Sequence, residues 1–320
     1  MNLLFVFGNG LDINLGLKTG YQDFYDYYLN KVPSSSPLIE KMKKHLSKER
    51  YNNWSDLELG LGAYTTEVDS VSDLELIYHD IDDALQSYLK LVILSFNVDD
   101  KMKNNFLKDL QISYRELPNA ASNEIRSYIR EYNAYNINVL SFNYTNVVER
   151  ILYHNSPHQS MPYPITNNTV VNSVQHIHMS LDQSDIIMGV NDESQILNKT
   201  LICPDCKSLM VKPYINQRLG SRVDSECMNI IKQADYFCLF GVSLGETDNI
   251  WWKEIGKRMN SSHARLVMYY YDKDKIVYNN HLIRKYDECR ELLMKRLDIK
   301  NITPDLESRI YVGYKPNIFH

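Results

Sequence analysis

The amino-acid sequence predicts an α/β fold in which a parallel sheet carries a large helical insertion. First, the unbroken apolar run Leu3–Phe7 indicates a central strand that is buried on both faces, as in parallel sheets. Second, residues 31–130 show helical periods and no clear strand. Third, short apolar runs separated by loops or helical stretches return after residue 131, which is the rhythm of α/β proteins.

The predicted organisation is one discontinuous core domain with two added parts. The 320 residues are enough for one large domain with a well-buried core. We expect the core domain in residues 1–30 and 131–280 and the helical insertion in residues 31–130. Residues 281–320 are expected to add a helix and a late strand at Arg309–Val312.

The first strand leads through a glycine-bearing loop into a helix. That helix is expected to begin near Thr19, because Thr19 and Gln22 have the spacing of a capping box. The clearest helix of the insertion has the same signature at Ser72 and Glu75. In such a signature a side-chain oxygen accepts from an otherwise unpaired amide of the first helical turn.

Short apolar runs after the insertion supply the other strands of the predicted sheet. They are Ile137–Phe142, Val174–His178, Asp185–Val190, Tyr236–Val242 and Ala264–Tyr271. Ligands in open α/β sheets bind beyond the carboxyl ends of the strands. Polar residues at these strand ends are therefore the candidates for a functional site.

Charge and apolar content argue against several kinds of partner. The formal net charge is −5, whereas nucleic-acid binders carry a basic excess, so a nucleic-acid partner is not expected. No apolar run approaches the roughly 20 residues that span a bilayer, and no leader segment is visible, so no membrane partner is expected. The five scattered cysteines indicate free thiols in a reducing cytoplasm.

The first candidate motif is Gly8-Asn9-Gly10 with Asp12, directly after the buried first strand. Glycines at this place let the backbone approach a ligand's phosphates closely, with amide N–H groups directed at them. The usual dinucleotide fingerprint needs a further glycine where this chain has Ile13, which disfavours an ordinary oxidoreductase turn. A tight turn without a ligand is the alternative.

The second motif, Ser141–Asn146, follows another predicted strand. The uncharged amide of Asn143 suits a ribose hydroxyl or an attacking water, since it both donates and accepts hydrogen bonds. The alternative is that Asn143 or Asn146 only caps the helix that follows. We favour the cap for Asn146 and the ligand for Asn143.

The third motif places His176 and His178 at a strand end, on the same face of that strand by alternation. Two histidines on one face also suggest a metal, but no third ligand stands at a suitable spacing, so no metal is expected. His178 is the better candidate for a cleft, because it lies nearer to the carboxyl end of the strand. A structural role for the histidine is the alternative.

The fourth motif runs from Gly241 to Asp248, again from a strand into a turn. Ser243 and the neighbouring amides suit a phosphate or a ribose. Asp248 suits a ribose hydroxyl, or it caps the helix that carries Trp251 and Trp252. Four polar strand ends in one parallel sheet predict a site on which they converge.

In their order along the chain, these motifs resemble a known family. The segment FGNGLDINLGLKTGYQDFYDYY is similar to the opening of the AbiH family of abortive-infection proteins, in which Gly-Asn-Gly, Asp, Thr, Tyr and Phe recur in that order. The segments NWSDLE (Asn53–Glu58), SFNYTN, HIH and GVSLGETD follow in the family's order. The family is similar in turn to the sirtuin-like NAD-binding group of bacterial phage defence.

The resemblance implies a sirtuin-like, Rossmann-like sheet with the parts of a dinucleotide site. The glycine loop with Asp12, Thr19 and Tyr21 would hold the dinucleotide. The residue matching Asn143 would orient the ribose and a water, and the residue matching His178 would be the general base. The turn of Gly241 and Ser243 would touch a phosphate or the adenine ribose.

The expected reaction is hydrolysis of NAD⁺ to ADP-ribose and nicotinamide, with NAD⁺ as the substrate and no separate cofactor. The resemblance also implies depletion of NAD⁺ during phage infection. A phage-derived activator and a second copy of the chain, in a homo-oligomer, are the expected partners.

Two local features leave alternatives open. The family has glycine after the base histidine, whereas this chain has Met179, whose side chain could narrow the cleft. A sensor that binds NAD⁺ or ADP-ribose without hydrolysis, and signals through the helical insertion, is therefore the rival. Cys203 and Cys206 form a single Cys-x-x-Cys pair, whereas sirtuin deacetylases hold zinc with four cysteines, so zinc binding and deacetylation are disfavoured.

Overall fold

The protein has a mixed α/β fold around a mostly parallel sheet, as the sequence predicts. The computed structural model describes residues 1–52, 54, 56–182, 186–271 and 279–320. Asn53 and Ser55 of the NWSDLE segment, Asp185 of a predicted strand and residues 272–278 of the predicted core domain lie outside the described residues. None of the helices within these ranges is both long enough and apolar enough to cross a membrane.

One seven-stranded sheet forms the centre of the molecule. Its strands are β1 (Asn2–Phe7), β2 (Tyr135–Ser141), β3 (Tyr163–Thr166), β4 (Thr169–His176), β5 (Tyr236–Phe240), β6 (Arg265–Tyr270) and β7 (Ile310–Tyr314). They lie side by side in the order β3-β4-β2-β1-β5-β6-β7. β3 pairs antiparallel with β4, and the other pairs are parallel. The order of the strands therefore reverses at β1, which has β2 on one side and β5 on the other.

Helices connect the strands and cover the sheet. They are α1 (Gly10–Asn14), α2 (Tyr21–Lys31), α3 (Pro37–Glu49), α4 (Leu57–Tyr64), α5 (Val71–Leu94), α6 (Asp100–Ile112), α7 (Asn119–Arg130), α8 (Val147–Tyr153), α9 (Pro204–Met210), α10 (Lys212–Arg218), α11 (Val223–Gln233), α12 (Asn249–Ser261), α13 (Asn279–Arg296) and α14 (Pro304–Ser308). Short 3₁₀ turns lie between several of them.

The central strand β1 is apolar throughout because both of its faces are covered. Leu3, Phe5 and Phe7 pack on one face in a core with residues of α6, α7 and α8. Leu4 and Val6 pack on the other face in a core with residues of α11, α12 and α13. Side chains alternate between the faces of a strand, so a strand covered twice needs an unbroken apolar run.

A further apolar core lies within a group of helices that we call the helical layer, made of α2–α5 and α9. Its buried residues include Trp54 and Leu61, together with Ile186 and Met188 from the segment before α9. Of the helices in residues 31–130, α3–α5 belong to this layer, whereas α6 and α7 pack against the sheet. The domain boundaries drawn from the sequence stay a prediction.

The strand expected at Asp185–Val190 is wrong for the residues described. Residues 186–189 form no strand, and Val190 makes a single bridge with Val211. The apolar side chains of Ile186 and Met188 pack in the helical layer, and the Met188 carbonyl accepts from the Tyr78 hydroxyl at 2.9 Å. A short apolar run is equally compatible with burial among helices, which is why the pattern misled.

The other predicted strands are confirmed with small changes at their ends. The runs at Ile137–Phe142, Val174–His178, Tyr236–Val242 and Ala264–Tyr271 correspond to β2, β4, β5 and β6. The late strand is β7, which joins the edge of the main sheet beside β6. The antiparallel strand β3 had no counterpart in the sequence analysis.

Both predicted capping boxes are wrong. Helix α2 begins at Tyr21 with Gly20 at its N-cap, and the Thr19 hydroxyl donates instead to Asn9 Oδ1 at 2.5 Å. Helix α5 begins at Val71, and Ser70 accepts from the Asp73 amide at 3.1 Å. Several serines and threonines precede these helices, so the spacing alone did not select the residue that caps.

Candidate active site

A cavity of about 680 Å³ lies at the carboxyl ends of the central strands. Every residue that the sequence analysis placed in a site lines it: Gly8, Asn9, Gly10, Asp12, Thr19, Tyr21, Asn143, His178, Gly241, Ser243 and Asp248. The position follows from the topology, because ligands in open α/β sheets bind beyond the carboxyl ends of the strands where the strand order reverses. The structure thus brings together residues from four separate segments of the chain.

Glycines let the loops after β1 and β5 pack against each other. A Cβ atom on Gly8 would lie 2.5 Å from the Gly241 carbonyl oxygen, and one on Gly10 would lie 2.4 Å from Gly241 Cα. Gly241 itself has φ +69°, which favours glycine. The Gly8 and Gly10 amides donate to Phe240 O at 3.1 Å and Gly241 O at 2.8 Å. These two amides therefore join the loops. The prediction from the Gly8-Asn9-Gly10 motif, that its amides point at phosphates, is wrong for Gly8 and Gly10.

The side chain of Asn9 fixes the loop that follows α1. Its Nδ2 donates to the Thr19 carbonyl oxygen at 2.8 Å, and its Oδ1 accepts from the Thr19 hydroxyl. This reciprocal pair holds Thr19 and the start of α2, with Tyr21, beside the cavity.

One side of the cavity, which we call the amide side, is built on the buried carboxylate of Asp12. Asp12 accepts from Asn143 Nδ2 at 2.8 Å and from the Thr145 hydroxyl at 2.6 Å. Burial raises the pKa of Asp12 to about 6, and the hydrogen bonds from these two neutral groups only partly oppose it. The amide side therefore consists of Asp12, Asn143 and Thr145.

The amide group of Asn143 has a fixed orientation. Because the Asp12 carboxylate takes up Nδ2, the acceptor Oδ1 points elsewhere, and it has no hydrogen-bond partner among the described residues. His176 Nδ1 lies 3.0 Å from the Asn143 carbonyl oxygen, and its Nε2 lies 2.9 Å from Glu149. Asn143 is thus held by its backbone and by its amide nitrogen, while its buried acceptor atom has no partner among the described residues.

Asn146 occupies the N-cap position of α8, but its side chain makes no cap hydrogen bond. It contacts Asp182 and accepts from Arg150 Nε at 2.9 Å. The side-chain cap favoured for Asn146 is therefore wrong.

The opposite side of the cavity is ionic and carries His178. Strand β4 ends at His176, so His178 lies in the turn beyond it. His178 Nε2 lies 2.9 Å from Asp248 Oδ1. A carboxylate accepts only, so Nε2 carries the proton and Nδ1 is the basic nitrogen. The Asp248 side chain accepts this hydrogen bond and makes no cap hydrogen bond with the first turn of α12.

A buried lysine, which the sequence analysis missed, completes what we call the ionic side: His178, Asp248, Lys212, Glu58 and Tyr144. Lys212 Nζ donates to Asp248 Oδ1 at 3.0 Å and to Glu58 Oε2 at 2.9 Å. Tyr144 OH donates to Glu58 Oε1 at 2.8 Å. The NWSDLE segment that contains Glu58 indicates family resemblance but no site residue. No sequence motif indicates Lys212.

The charges of the ionic side stabilise one another. Burial acts to raise the pKa of Asp248, but Lys212 and then His178 outweigh it and hold that pKa well below its ordinary value. Burial acts to lower the pKa of Lys212, but Asp248 and Glu58 raise it above its ordinary value. The pair of Lys212 and Asp248 is therefore charged throughout the working pH range.

The rest of the lining includes acidic and aromatic side chains. Burial raises the pKa of Asp56 to about 6, with Glu58 adding to the effect. Phe142 stacks on Trp252 with ring centroids 5.0 Å apart, and its edge meets the His178 ring at 5.7 Å. Among the described residues, no lysine or arginine lines the cavity.

Met179 has a backbone conformation that favours glycine. Its φ is +62°, in the left-handed region, where a side chain costs roughly 1–2 kcal/mol. The described residues that line the cavity do not include Met179. The effect of Met179 is therefore on the backbone of the turn after His178.

The cysteine pair serves a local role. Cys203 is the N-cap of α9, where its Sγ accepts from the Cys206 amide at 3.5 Å. Within the described ranges, no group of three or more His, Cys, Asp or Glu side chains is arranged to hold a metal ion.

Comparison with known families identifies the chain. The model of the bacteriophage abortive infection AbiH family matches residues 4–270. The chain belongs to the AbiH family. The matched range contains most of β1, all of β2 to β6 and every residue named on both sides of the cavity. No curated protein matches the chain. Membership assigns this AbiH protein to abortive-infection defence against phage.

Proposed function

We propose that this AbiH protein binds NAD⁺ in the cavity and hydrolyses its bond to nicotinamide. The strand order supports this proposal. Counted without β3, the parallel strands lie in the order 3-2-1-4-5-6, the order of doubly wound dinucleotide-binding sheets. We assign the sheet on this basis to the sirtuin-like group. The cavity, at about 680 Å³, falls within the usual range of small-molecule sites.

The observation that carries the proposal is the fixed orientation of the Asn143 amide, which leaves its oxygen unpaired among the described residues. Its amide nitrogen is fixed on Asp12, and its buried Oδ1 has no partner among the described residues. A buried acceptor of this kind gains most from a ligand hydroxyl, because leaving it unpaired costs about 1–3 kcal/mol. The 2′- or 3′-hydroxyl of a ribose, or an attacking water, supplies that donor.

The ionic side supplies the base. The bond between ribose C1′ and the pyridinium nitrogen breaks, and its electron pair leaves with neutral nicotinamide. A water oxygen then bonds to C1′, and its proton passes to His178 Nδ1, the basic nitrogen set by the contact of Nε2 with Asp248. Positive charge that develops on the ribose is favoured by a lining that contains Asp12, Asp56 and Asp248.

Ser243 supplies a contact for the rest of the dinucleotide. It is exposed at the rim, on the loop after β5, where its hydroxyl suits a phosphate or the adenine ribose. The glycine loops would then shape the floor of the site by close packing and would not donate the Gly8 and Gly10 amides to the ligand.

The test is incubation of the purified protein with NAD⁺, followed by chromatography for nicotinamide and ADP-ribose. We expect both products in equal amounts from the wild-type chain and neither from Asn143→Ala. Asn30→Ala is the matched control, since Asn30 is an exposed residue of α2. Binding of NAD⁺ without any product would support the sensor instead. Met179 gives that rival no support, because its side chain does not line the cavity.

Control of the activity is part of the proposal. An unrestrained NAD⁺ hydrolase would kill the cell that makes it, so basal turnover should be low. We assign control to a homo-oligomer or a phage component that contacts the helical layer. Full turnover by an isolated monomer, in cells that tolerate its overexpression, would contradict this.

A further inference from the structure

Lys212 and Glu58 form a buried ion pair that the proposed reaction does not use. The side chains of both are buried, with 6% and 5% of their surface exposed. Taking two charges out of water is costly, so the burial of this pair is weak evidence that its role is to stabilise the fold. Its position beside the base suggests what it does.

Lys212 shares an acceptor with the base. Asp248 Oδ1 accepts from Lys212 Nζ at 3.0 Å and from His178 Nε2 at 2.9 Å, and the two nitrogens lie 3.5 Å apart. The ammonium group therefore fixes the carboxylate oxygen that orients the imidazole. It also places a positive charge next to the imidazole ring.

Glu58 connects this arrangement to the helical layer. It lies on α4, and it holds Lys212 through Oε2 and Tyr144 through Oε1. The ring of Tyr144 lies 6.3 Å from the ring of His178. His178 is thus oriented by a chain of contacts that begins in the helical layer and ends at the carboxyl edge of the sheet.

We propose that Lys212 is a positioning residue for His178, acting through Asp248, and that Glu58 anchors it from the helical layer. This proposal rests on the proposed function. The proposal has a regulatory consequence. A shift of α4 relative to the sheet separates Glu58 from Lys212, and His178 then loses its fixed orientation. The helical layer thereby controls the rate of the reaction through Glu58.

The charged groups that face His178 come from several elements. Asp248 precedes α12, Lys212 begins α10, and Glu58 lies on α4. Asp224 of α11 also interacts electrostatically with His178. Among these, only Lys212 is a cation, so its removal makes the surroundings of the imidazole more negative.

The experiment compares Glu58→Gln with the double variant Glu58→Gln/Lys212→Met. The amide oxygen of glutamine still accepts from Lys212 Nζ in place of Glu58 Oε2, so Glu58→Gln keeps the lysine beside Asp248. The two variants therefore differ only in the lysine, and the double variant leaves no unpaired buried Glu58 carboxylate. We expect the acid limb of the pH profile for nicotinamide release to move up by about one pH unit in the double variant. We expect kcat at pH 7 to fall by up to tenfold, the most that a one-unit shift of the acid limb can give, with little change in KM, because a larger fraction of His178 is protonated.

Ring ¹⁵N shifts of His178, assigned with His178→Ala, measure the protonated fraction without any turnover. That fraction should be higher in the double variant than in Glu58→Gln at the same pH. Lys207→Met is the control, since Lys207 lies on the neighbouring helix α9 and pairs with Glu193. An unchanged protonated fraction and an unmoved pH profile in the double variant would overturn the proposal. If the wild type releases no nicotinamide, the proposed function fails, and the ¹⁵N shifts still decide the role of Lys212.

Discussion

The two buried aspartates of the cavity show that its two sides are built on different physical principles. Asp12, on the amide side, accepts from the neutral groups of Asn143 and Thr145, and burial raises its pKa to about 6. Asp248, on the ionic side, accepts from Lys212 and His178, and its pKa lies well below the ordinary value. Burial acts to raise the pKa of both carboxyls, so the charge of the partners decides the direction of the net shift.

The difference matches the two tasks in the proposed reaction. Neutral hydrogen bonds hold Asn143 in one orientation without a fixed positive charge beside the ribose. The ionic side holds a base whose proton must move, and it needs a charged partner to fix the imidazole. Each of the following predictions sets one side against the other.

The largest expected effect is on catalysis, from the ionic side. His178→Ala removes the base, a loss of typically about 100- to 10,000-fold in the rate of nicotinamide release. Asn143→Ala, on the amide side, should abolish positioning of the ribose, and because it also removes a hydrogen-bond donor from Asp12 it should cost about 1–3 kcal/mol of unfolding free energy. His79→Ala, an exposed histidine of α5, is the control. A stable His178→Ala protein that turns over at the wild-type rate would end the assignment.

The second effect is on stability and separates charged from neutral partners. Lys212→Met leaves the buried carboxylates of Glu58 and Asp248 without their cation, which should cost about 3–5 kcal/mol of unfolding free energy. Thr145→Val removes one hydroxyl donor from Asp12 at nearly constant volume and should cost about 1–3 kcal/mol. Urea unfolding at pH 7 measures both. Equal losses would show that the ionic side is no more dependent on its partners than the amide side.

The third effect is the pH dependence that Asp12 gives to stability. Its pKa is raised from 3.8 to about 6 on folding, so the folded state binds the proton more tightly. This stabilisation is complete below pH 3.8 and is lost as the pH rises through about 6. The unfolding free energy of the wild type minus that of Asp12→Asn should therefore fall by about 2.5 kcal/mol between pH 4 and pH 7.

Asp56 also has a pKa of about 6, and it is present in both proteins, so its contribution cancels in this difference. A difference that stays flat between pH 4 and pH 7 would contradict the raised pKa of Asp12. The same experiment with Asp248→Asn should give no fall in this range, because the pKa of Asp248 is lowered.

The smallest effect concerns the turn after His178. Met179→Gly removes a side chain from a residue at φ +62° and should stabilise the protein by about 0.5–1 kcal/mol. Gly16→Ala is the reciprocal control, since Gly16 has φ +85° with no atom within 4 Å of an added Cβ, and it should destabilise. Nicotinamide release by Met179→Gly should be unchanged. A large gain in activity would mean that the methionine side chain does restrict the cavity.

Much of the fold was predictable because its signals are local. The run Leu3–Phe7 is apolar at every position because both faces of β1 are covered, and that pattern is visible in the sequence alone. Polar residues directly after β1, β2 and β5 indicated Asp12, Asn143 and Asp248 in the same way. Parallel strands place such residues at one edge, so their convergence followed from the topology.

Local patterns failed where several residues could play the same part. The capping signature pointed to Ser72, but Ser70 caps α5, because either serine could have started the helix. The apolar run ending at Val190 resembled a strand, but its side chains are buried by the helical layer. In both cases the packing of neighbouring elements selected the outcome.

The sequence by itself determined the parallel sheet, the family and the residues that end the central strands. Only the tertiary structure decided which of them pair, because the partners are far apart in the chain: Glu58 and Lys212 are separated by 154 positions. It also decided that the glycine amides join two loops and that Asn143 keeps a buried acceptor without a partner among the described residues. The physical reason is that hydrogen bonds and ion pairs depend on distances of about 3 Å between side chains. A sequence pattern specifies which groups are present and which face they occupy, and the packing of the helices on the sheet sets those distances.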